Sequence, residues 1–223
     1  MGIKEHLEEI RKTLPAGVKL IAVSKTHPAE EIIELYDCGQ RIFGENRVQE
    51  LTAKQPVCPG DIEWHFIGHL QTNKVKYIAP FVSVIHSTDS LNLLQEINKE
   101  AAKNNRVIDC LLEMYIATEE TKFGLSADEA IAIIQSAQYA AMENVRICGL
   151  MGMASFTDDT ALVRSEFNGL KNVFDTIKKL DFKDKAAFAE LSMGMSSDYR
   201  IAIEEGSTIV RLGTVLFGKR NYK

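Results

Sequence analysis

No run of apolar residues in this chain approaches the roughly 18 needed to cross a bilayer. Nor is there an excess of positive charge: 26 Lys and Arg stand against 31 Asp and Glu, for a net charge of -5 and a pI near 5.6. The chain as a whole therefore offers no broad electrostatic footprint to nucleic acid or to an anionic membrane, although a local anion site remains open. Its four cysteines, Cys38, Cys58, Cys110 and Cys148, lie far apart with no CxxC pair, which excludes a zinc ribbon and a thioredoxin-like redox motif. A reduced, cytoplasmic protein is expected. The opening MGIKEHLEEIRK has no apolar core of a signal peptide, and His6 stands where a myristoylation motif has Ser or Thr. No linker rich in Pro, Gly or Ser and no low-complexity tract breaks the chain, so one domain over residues 1–223 is expected.

What is present is the composition of an ordinary globule, 45% hydrophobic and 26% charged, which excludes disorder and collagen-like architectures. Folded as one body, 223 residues bury roughly 70% of the extended-chain surface. Short β-branched or apolar runs alternate with longer segments whose apolar residues recur at helical spacing. The runs lie at 18–24, 40–43, 63–67, 81–86, 107–116, 145–151, 187–191 and 208–212. Helices are predicted between them at 29–38, 46–54, 70–78, 90–103, 126–142, 158–179 and 197–205, after an amphipathic N-terminal helix and before a short closing one. Ser126 with Glu129 forms a capping-box pattern, and Val163, Phe167, Leu170, Phe174 and Ile177 form a stripe behind Asp158. Eight β/α units in this length predict an α/β fold, a single (β/α)8 TIM barrel with an additional N-terminal helix. A doubly wound open sheet is the alternative, weakened by the lack of a GxGxxG after the first run.

In such a barrel the active face lies at the C-terminal ends of the strands. The first run closes with Ser24, Lys25, Thr26 and His27. A lysine there is either a solvated surface residue or, near an apolar mouth, an amine with a depressed pKa able to attack an aldehyde. The seventh run leads into LSMGMSSD, where Gly194, Ser196, Ser197 and Asp198 precede a helix, and the eighth ends in Arg211, Leu212, Gly213 and Thr214. Loops after strands seven and eight are the usual phosphate site of the fold. The same residues could equally be tight turns, with Ser196 an ordinary N-cap. His65 and His69 share an i, i+4 spacing, but 64–67 reads as strand, so they share no helical face and no metal site is expected. The methionines around Met151 and Met193 are expected to line the mouth or fill core gaps. Lys178, Lys179, Lys183 and Lys185, interspersed with Asp181 and Asp184, read as a solvated face.

The segments IAVSKTHP, FGENRVQEL, WHFIGHLQTNK, GLMGMA, LSMGMSSD and GSTIVRLGTVLFGKRNY occur in order between about Val18 and Tyr222. Together they resemble the YggS/PROSC family of pyridoxal-phosphate homeostasis proteins. The resemblance implies a single barrel similar to the N-terminal domain of alanine racemase, carrying pyridoxal 5'-phosphate as a Schiff base on the lysine of the VSK motif, here Lys25. It implies phosphate contacts from Ser196, Gly213 and Thr214. Arg211 would face the pyridine nitrogen and Asn46 would lie on the Schiff-base side of the ring, with Met151 packing nearby. Lys122 matches the family's fifth-strand region, whereas Tyr115 departs from its asparagine, so no role is carried to that position.

Two functions from different classes follow from the resemblance: a carrier of the cofactor serving its intracellular homeostasis, and an amino-acid racemase or related enzyme. An arginine at the ring nitrogen disfavours protonation there and weakens the electron sink that most enzymes using this cofactor possess. Alanine racemases add a β-rich second domain and a tyrosine base, whereas this chain stops nine residues after Thr214, and no second acid/base opposite Lys25 is identifiable. The expectation is a monomeric carrier, without appreciable turnover, that hands its cofactor to apo-enzymes. A Schiff-base aldolase would share the lysine and the anion site but not the six segments.

Overall fold

The computed structural model describes residues 2–117 and 124–218 and forms a closed barrel of eight parallel strands in sequential order. The strands are β1 (Lys19–Val23), β2 (Ile42–Glu45), β3 (Glu63–Phe66), β4 (Val84–Thr88), β5 (Ile108–Met114), β6 (Val145–Gly152), β7 (Glu190–Ser192) and β8 (Ile209–Leu212). Closure comes from pairing of β1 with β8, where Ile21 lies opposite Arg211. Around the barrel run α1 (Ile3–Thr13), α2 (Ala29–Asp37), α3 (Val48–Lys54), α4 (Val75–Ile78), α5 (Leu91–Lys103), α6 (Ala127–Ile134), α7 (Ala137–Ala140), α8 (Thr160–Lys178), α9 (Tyr199–Glu204) and α10 (Thr214–Phe217). The last unit ends in a single turn, α10, and α1 packs beside it and beside α2, covering the seam of the barrel. The expected barrel with an added N-terminal helix is thus the observed fold.

The two faces of each strand divide the core, as the period of two requires. Leu20, Ala22, Phe43, Trp64, Phe66, Leu112, Leu150 and Leu212 join the helices in the outer cluster. Ile21, Val23, Val84, Leu111, Cys148, Met151 and Ile209 fill the barrel interior as a separate cluster. On α8, Val163, Phe167, Leu170, Phe174 and Ile177 are all buried, which confirms the stripe read from the sequence.

Several element boundaries differ from expectation. The second strand runs to Glu45 rather than stopping at Phe43, because Gly44 and Glu45 pair with His65 and Phe66. The fourth begins at Val84, three residues late, and the seventh at Glu190. The single helix expected over 126–142 is two: the capping box of Ser126 and Glu129 starts α6, but the Ser136 hydroxyl accepts the amide of Tyr139 and restarts the helix as α7. The cap of α8 is Asp159, one residue later than expected, accepting from the amides of Ala161 and Leu162. Asp184 and Lys183 are not merely solvated: Asp184 accepts the Tyr139 hydroxyl, and Lys183 donates to the carbonyl of Met142.

A register shift between β5 and β6 falls at Cys110 and Leu111, opposite Ile147 and Gly149. A side chain at Gly149 would run into the carbonyl oxygen of Glu190 on β7. Gly149→Ala is therefore expected to cost about 1–3 kcal/mol in urea unfolding through overpacking. Gly169→Ala, on the exposed face of α8 with open space around it, should instead stabilise by about 0.5–1 kcal/mol. Unchanged stability of the Gly149 variant would contradict the close approach of β6 and β7.

Candidate functional site

Lys25 follows β1 in a loop held on both sides by one buried ion cluster. The ammonium of Lys54, at the end of α3, donates to Glu45 Oε1 at 2.7 Å, to the carbonyl of Ser24 at 2.8 Å and to Glu50 Oε2 at 3.2 Å, which uses all three of its donors. Glu45 Oε1 also accepts the Ser24 hydroxyl at 2.7 Å, and Glu50 Oε2 accepts the amide of Thr26 at 2.8 Å. The residues flanking Lys25 are thereby pinned to α3 and β2. Thr26 sits in left-handed backbone, φ 67°, a strained conformation that persists only where its surroundings impose it. Burial raises the pKa of Glu45 despite the opposing pull of Lys54 and Ser24. Glu50 is less buried, and the Thr26 amide and Lys54 hold its carboxyl below the ordinary value.

Across the mouth, the chain leaving β7 makes a tight turn in which Asp198 Oδ1 accepts the amide of Met195 at 2.6 Å and α9 begins only at Tyr199. Ser196 and Ser197 lie in that turn, so Ser196 is not the helix cap. Gly194 is required by the fold: its φ is 94°, and a Cβ there would meet Ala202 Cβ at 2.6 Å. It is a turn residue packed against α9. After β8, Gly213 caps α10, whose opening residues Thr214 and Val215 carry amides with no intrahelical acceptor.

These loops enclose a cavity of about 500 Å³, a size suited to a small-molecule ligand. Lys25, Asn46, Ser196, Arg211, Gly213 and Thr214, scattered over the sequence, all line it. Met153, Phe156 and Met195 add apolar surface, while Met151 and Met193 are buried in the core behind it. Asn46 Oδ1 is a buried oxygen with no hydrogen-bond partner among the described residues. Among the described residues lining the cavity, Lys25 and Arg211 are the titratable ones. Lys122 falls outside the described residues, and Tyr115 is not in the lining.

Arg211 rises from β8 through the barrel interior and is 4% exposed. Its guanidinium donates to Ser192 Oγ at 2.6 Å, to the Ser192 carbonyl at 2.9 Å and to the Gly152 carbonyl at 3.1 Å. Burial pulls its pKa down to about 10, so it stays a cation at neutral pH. Glu113, two residues beyond the inward-facing Leu111 on β5, is also buried. Burial and the nearby charge of Asp89 push its carboxyl up to about 7, against the pull of Arg211. Sequence reasoning did not find Glu113, Ser192 or His86, and weighed His65 only as a metal ligand. The available signal for Glu113, His86 and His65 was a two-residue offset from the inward Leu111, Val84 and Ile67, which needs the strand register to be read; Ser192 carries no such signal.

His65 and His69 do not share a helix: His65 lies on β3 and His69 beyond it, 3.5 Å from Asp89. Among the described residues no three His, Cys, Asp or Glu side chains converge on a possible metal position. No described helix is long and apolar enough to cross a membrane.

The folded chain holds a proton on Glu113 up to about pH 7, whereas an unfolded glutamate releases it near pH 4.3. The native state therefore binds more protons in that window, and stability falls as pH rises through it. The loss is on the order of 3 kcal/mol. Glu113→Gln, which stays neutral, should flatten urea-derived stability of the cofactor-free protein between pH 5 and pH 8. A variant with the parent's slope would show that Glu113 does not titrate in this range.

The chain matches the family model of the alanine racemase N-terminal domain over residues 2–221. It is 45% identical over 205 residues to the pyridoxal phosphate homeostasis protein of Aquifex aeolicus, covering 92% of this chain and 88% of that one. The human pyridoxal phosphate homeostasis protein is 38% identical over 224 residues, covering 95% and 80%. Among solved structures, PipY of Synechococcus elongatus without pyridoxal phosphate superposes with a TM-score of 0.90, and PipY with it bound superposes with 0.87. Both are 37% identical and cover 97% of this chain and 100% of theirs. An alanine racemase of Clostridium difficile, 16% identical with a TM-score of 0.77, shares the fold over 57% of its length.

Proposed function

The chain belongs to the family of the alanine racemase N-terminal domain, and on that premise we propose that it binds pyridoxal 5'-phosphate in the cavity at the barrel mouth and serves homeostasis of that cofactor as a carrier. The observation that carries this reading is the convergence of Lys25, Arg211 and the two turns at Ser196 and Gly213 on one cavity, in a chain 45% identical to a pyridoxal phosphate homeostasis protein. When bound, the cofactor supplies an aldehyde that a lysine amine captures reversibly. The whole chain acts as one domain and as a monomeric, cytoplasmic carrier, and apo-enzymes that use the cofactor are its recipients.

The donor set suits the ligand. Ser196, Gly213 and Thr214 offer hydroxyl and backbone donors to a phosphate, on the two loops that hold phosphate in this fold. Lys25, braced by Lys54, Glu45 and Glu50, presents its amine from the opposite rim. Asn46 brings to the same space a buried oxygen that has no partner among the described residues. Arg211 would face the ring nitrogen as a cation and so oppose protonation there. That favours retention over turnover, because the electron-withdrawing ring on which most enzymes of this cofactor rely is weakened. No second acid or base beside Lys25 and Arg211 lines the cavity among the described residues, whereas two-base racemisation needs one.

Borohydride treatment of the loaded protein followed by peptide mapping should leave the pyridoxyl mass on the peptide containing Lys25. Label confined to another lysine would refute the assignment. Pyridoxal lacking the phosphate should bind far more weakly, while Thr214→Ala should cost only a hydroxyl contact, roughly 0.5–1.5 kcal/mol of affinity. Equal affinity for pyridoxal and its phosphate would exclude the proposed phosphate site.

A further inference from the structure

The interior of a TIM barrel is normally filled by bulky branched apolar side chains. Here a line of polar residues runs through it. Beneath Arg211, Ser192 Oγ lies 3.0 Å from His86 Nδ1, His86 Nε2 lies 2.9 Å from His65 Nδ1, and His65 Nε2 lies 3.0 Å from Glu63 Oε1. Ser192, His86 and His65 are at most 2% exposed, and Glu63 opens to solvent at the end of the barrel opposite the cavity. Burying so many polar groups is costly unless each is satisfied.

The bonds can be satisfied in one direction only while both imidazoles are neutral. A guanidinium donates and never accepts, so Ser192 Oγ is the acceptor from Arg211 and sends its own proton to His86 Nδ1. His86 then carries its hydrogen on Nε2 and donates to His65 Nδ1, and His65 carries its hydrogen on Nε2 and donates to Glu63. The reverse direction would set a bare imidazole nitrogen against the Glu63 carboxylate. Burial, with His65 and Arg211 adding to it, holds the pKa of His86 well below the ordinary value, in keeping with a neutral ring. The hydrogen bond from His65 holds the carboxyl of Glu63 below its ordinary range. The other charges acting on the ends of the line are Glu113 and Asp198 at Arg211, and Lys19 at Glu63.

We propose that Ser192, His86, His65 and Glu63 form a positioning array, a one-way line of hydrogen bonds from the cavity floor to the far end of the barrel, that sets the orientation of Arg211 toward the ring nitrogen of the cofactor. This rests on the reading that the cavity takes pyridoxal 5'-phosphate. The array touches neither ligand nor solvent at the cavity and acts through the guanidinium alone. It should therefore govern recognition of the ring nitrogen and leave recognition of the phosphate unchanged.

Two measurements test this. In the cofactor-free protein, nitrogen-15 NMR of labelled histidines should find a ring proton on Nε2 of both His65 and His86, and none on Nδ1 of His86. A proton on Nδ1 of His86 would overturn the direction of the line. Second, affinities are compared for pyridoxal 5'-phosphate and for the analogue with C–H in place of the ring nitrogen. Ser192→Ala should weaken the cofactor about tenfold and leave the analogue within twofold, whereas Ser192→Thr, which keeps the hydroxyl, should retain the parent's preference. His86→Phe, which keeps a ring but deletes both bonds, should behave like Ser192→Ala. Equal losses for both ligands, or no loss for either, would overturn the proposal. Failure of the unaltered protein to bind the cofactor at all would instead remove the reading on which it rests.

Discussion

A cation withdrawn from water is stable only where oxygen atoms take the place of solvent. Arg211 meets that demand with two acceptors on Ser192 of β7 and one on Gly152 of β6, so a single guanidinium ties three consecutive strands together from inside. The consequence is a polar layer where the barrel would otherwise be packed with aliphatic side chains. His86, Glu113, Ser192 and Arg211 occupy it, above the apolar layer of Ile21, Val84, Leu111 and Ile209. Burial sets the protonation of the neighbouring groups: with Asp89 it pushes Glu113 up to about 7 against the pull of the cation, and with His65 and Arg211 adding to it, it holds the pKa of His86 well below the ordinary value. The cavity floor thus carries a charge of fixed position, and the loops above it need only supply shape and anion donors.

The opposite rim is built on a different device. Lys54 bridges Glu45 and Glu50 while holding the Ser24 carbonyl, and the two carboxyl groups hold the Ser24 hydroxyl and the Thr26 amide. The strained backbone at Thr26 is affordable because three side chains over-determine it. Lys25 is consequently presented from a stiff loop although it belongs to no helix or strand. A lysine on a mobile loop would sample many orientations, and a reversible covalent attachment there would be weaker by the entropy of fixing it.

Much of this was readable without coordinates. Alternation of short apolar runs with helical periods yields the barrel, and the residues that close the first, seventh and eighth runs turned out to share one cavity. The stripe on α8 and the capping box on α6 were visible because both are strictly local patterns. What escaped depends on contacts across the sheet. Gly44 and Glu45 look like a turn until their pairing with β3 is known, and the break at Ser136 depends on a cap that competes with helix continuation. Gly194 resembles a ligand-facing glycine in sequence, but the close approach that requires it is to α9. The polar line through the barrel was invisible for the same reason: His65, His86 and Ser192 sit in apolar surroundings in sequence, and only the inward phase of three separate strands brings them into one file.

A site of this kind either holds a reactive aldehyde or puts it to work. On the proposed reading, an arginine facing the ring nitrogen, in a lining whose described titratable groups are Lys25 and Arg211, would favour reversible capture over abstraction and return of an α-proton. The direct measurement is incubation of the loaded protein with a panel of L-amino acids in deuterated buffer, following α-proton exchange by NMR and chirality by chromatography. Neither exchange nor racemisation above the rate of free pyridoxal 5'-phosphate is expected. Exchange or racemisation at about 1 per second or faster, abolished by Lys25→Ala, would contradict the carrier and establish an enzyme in its place.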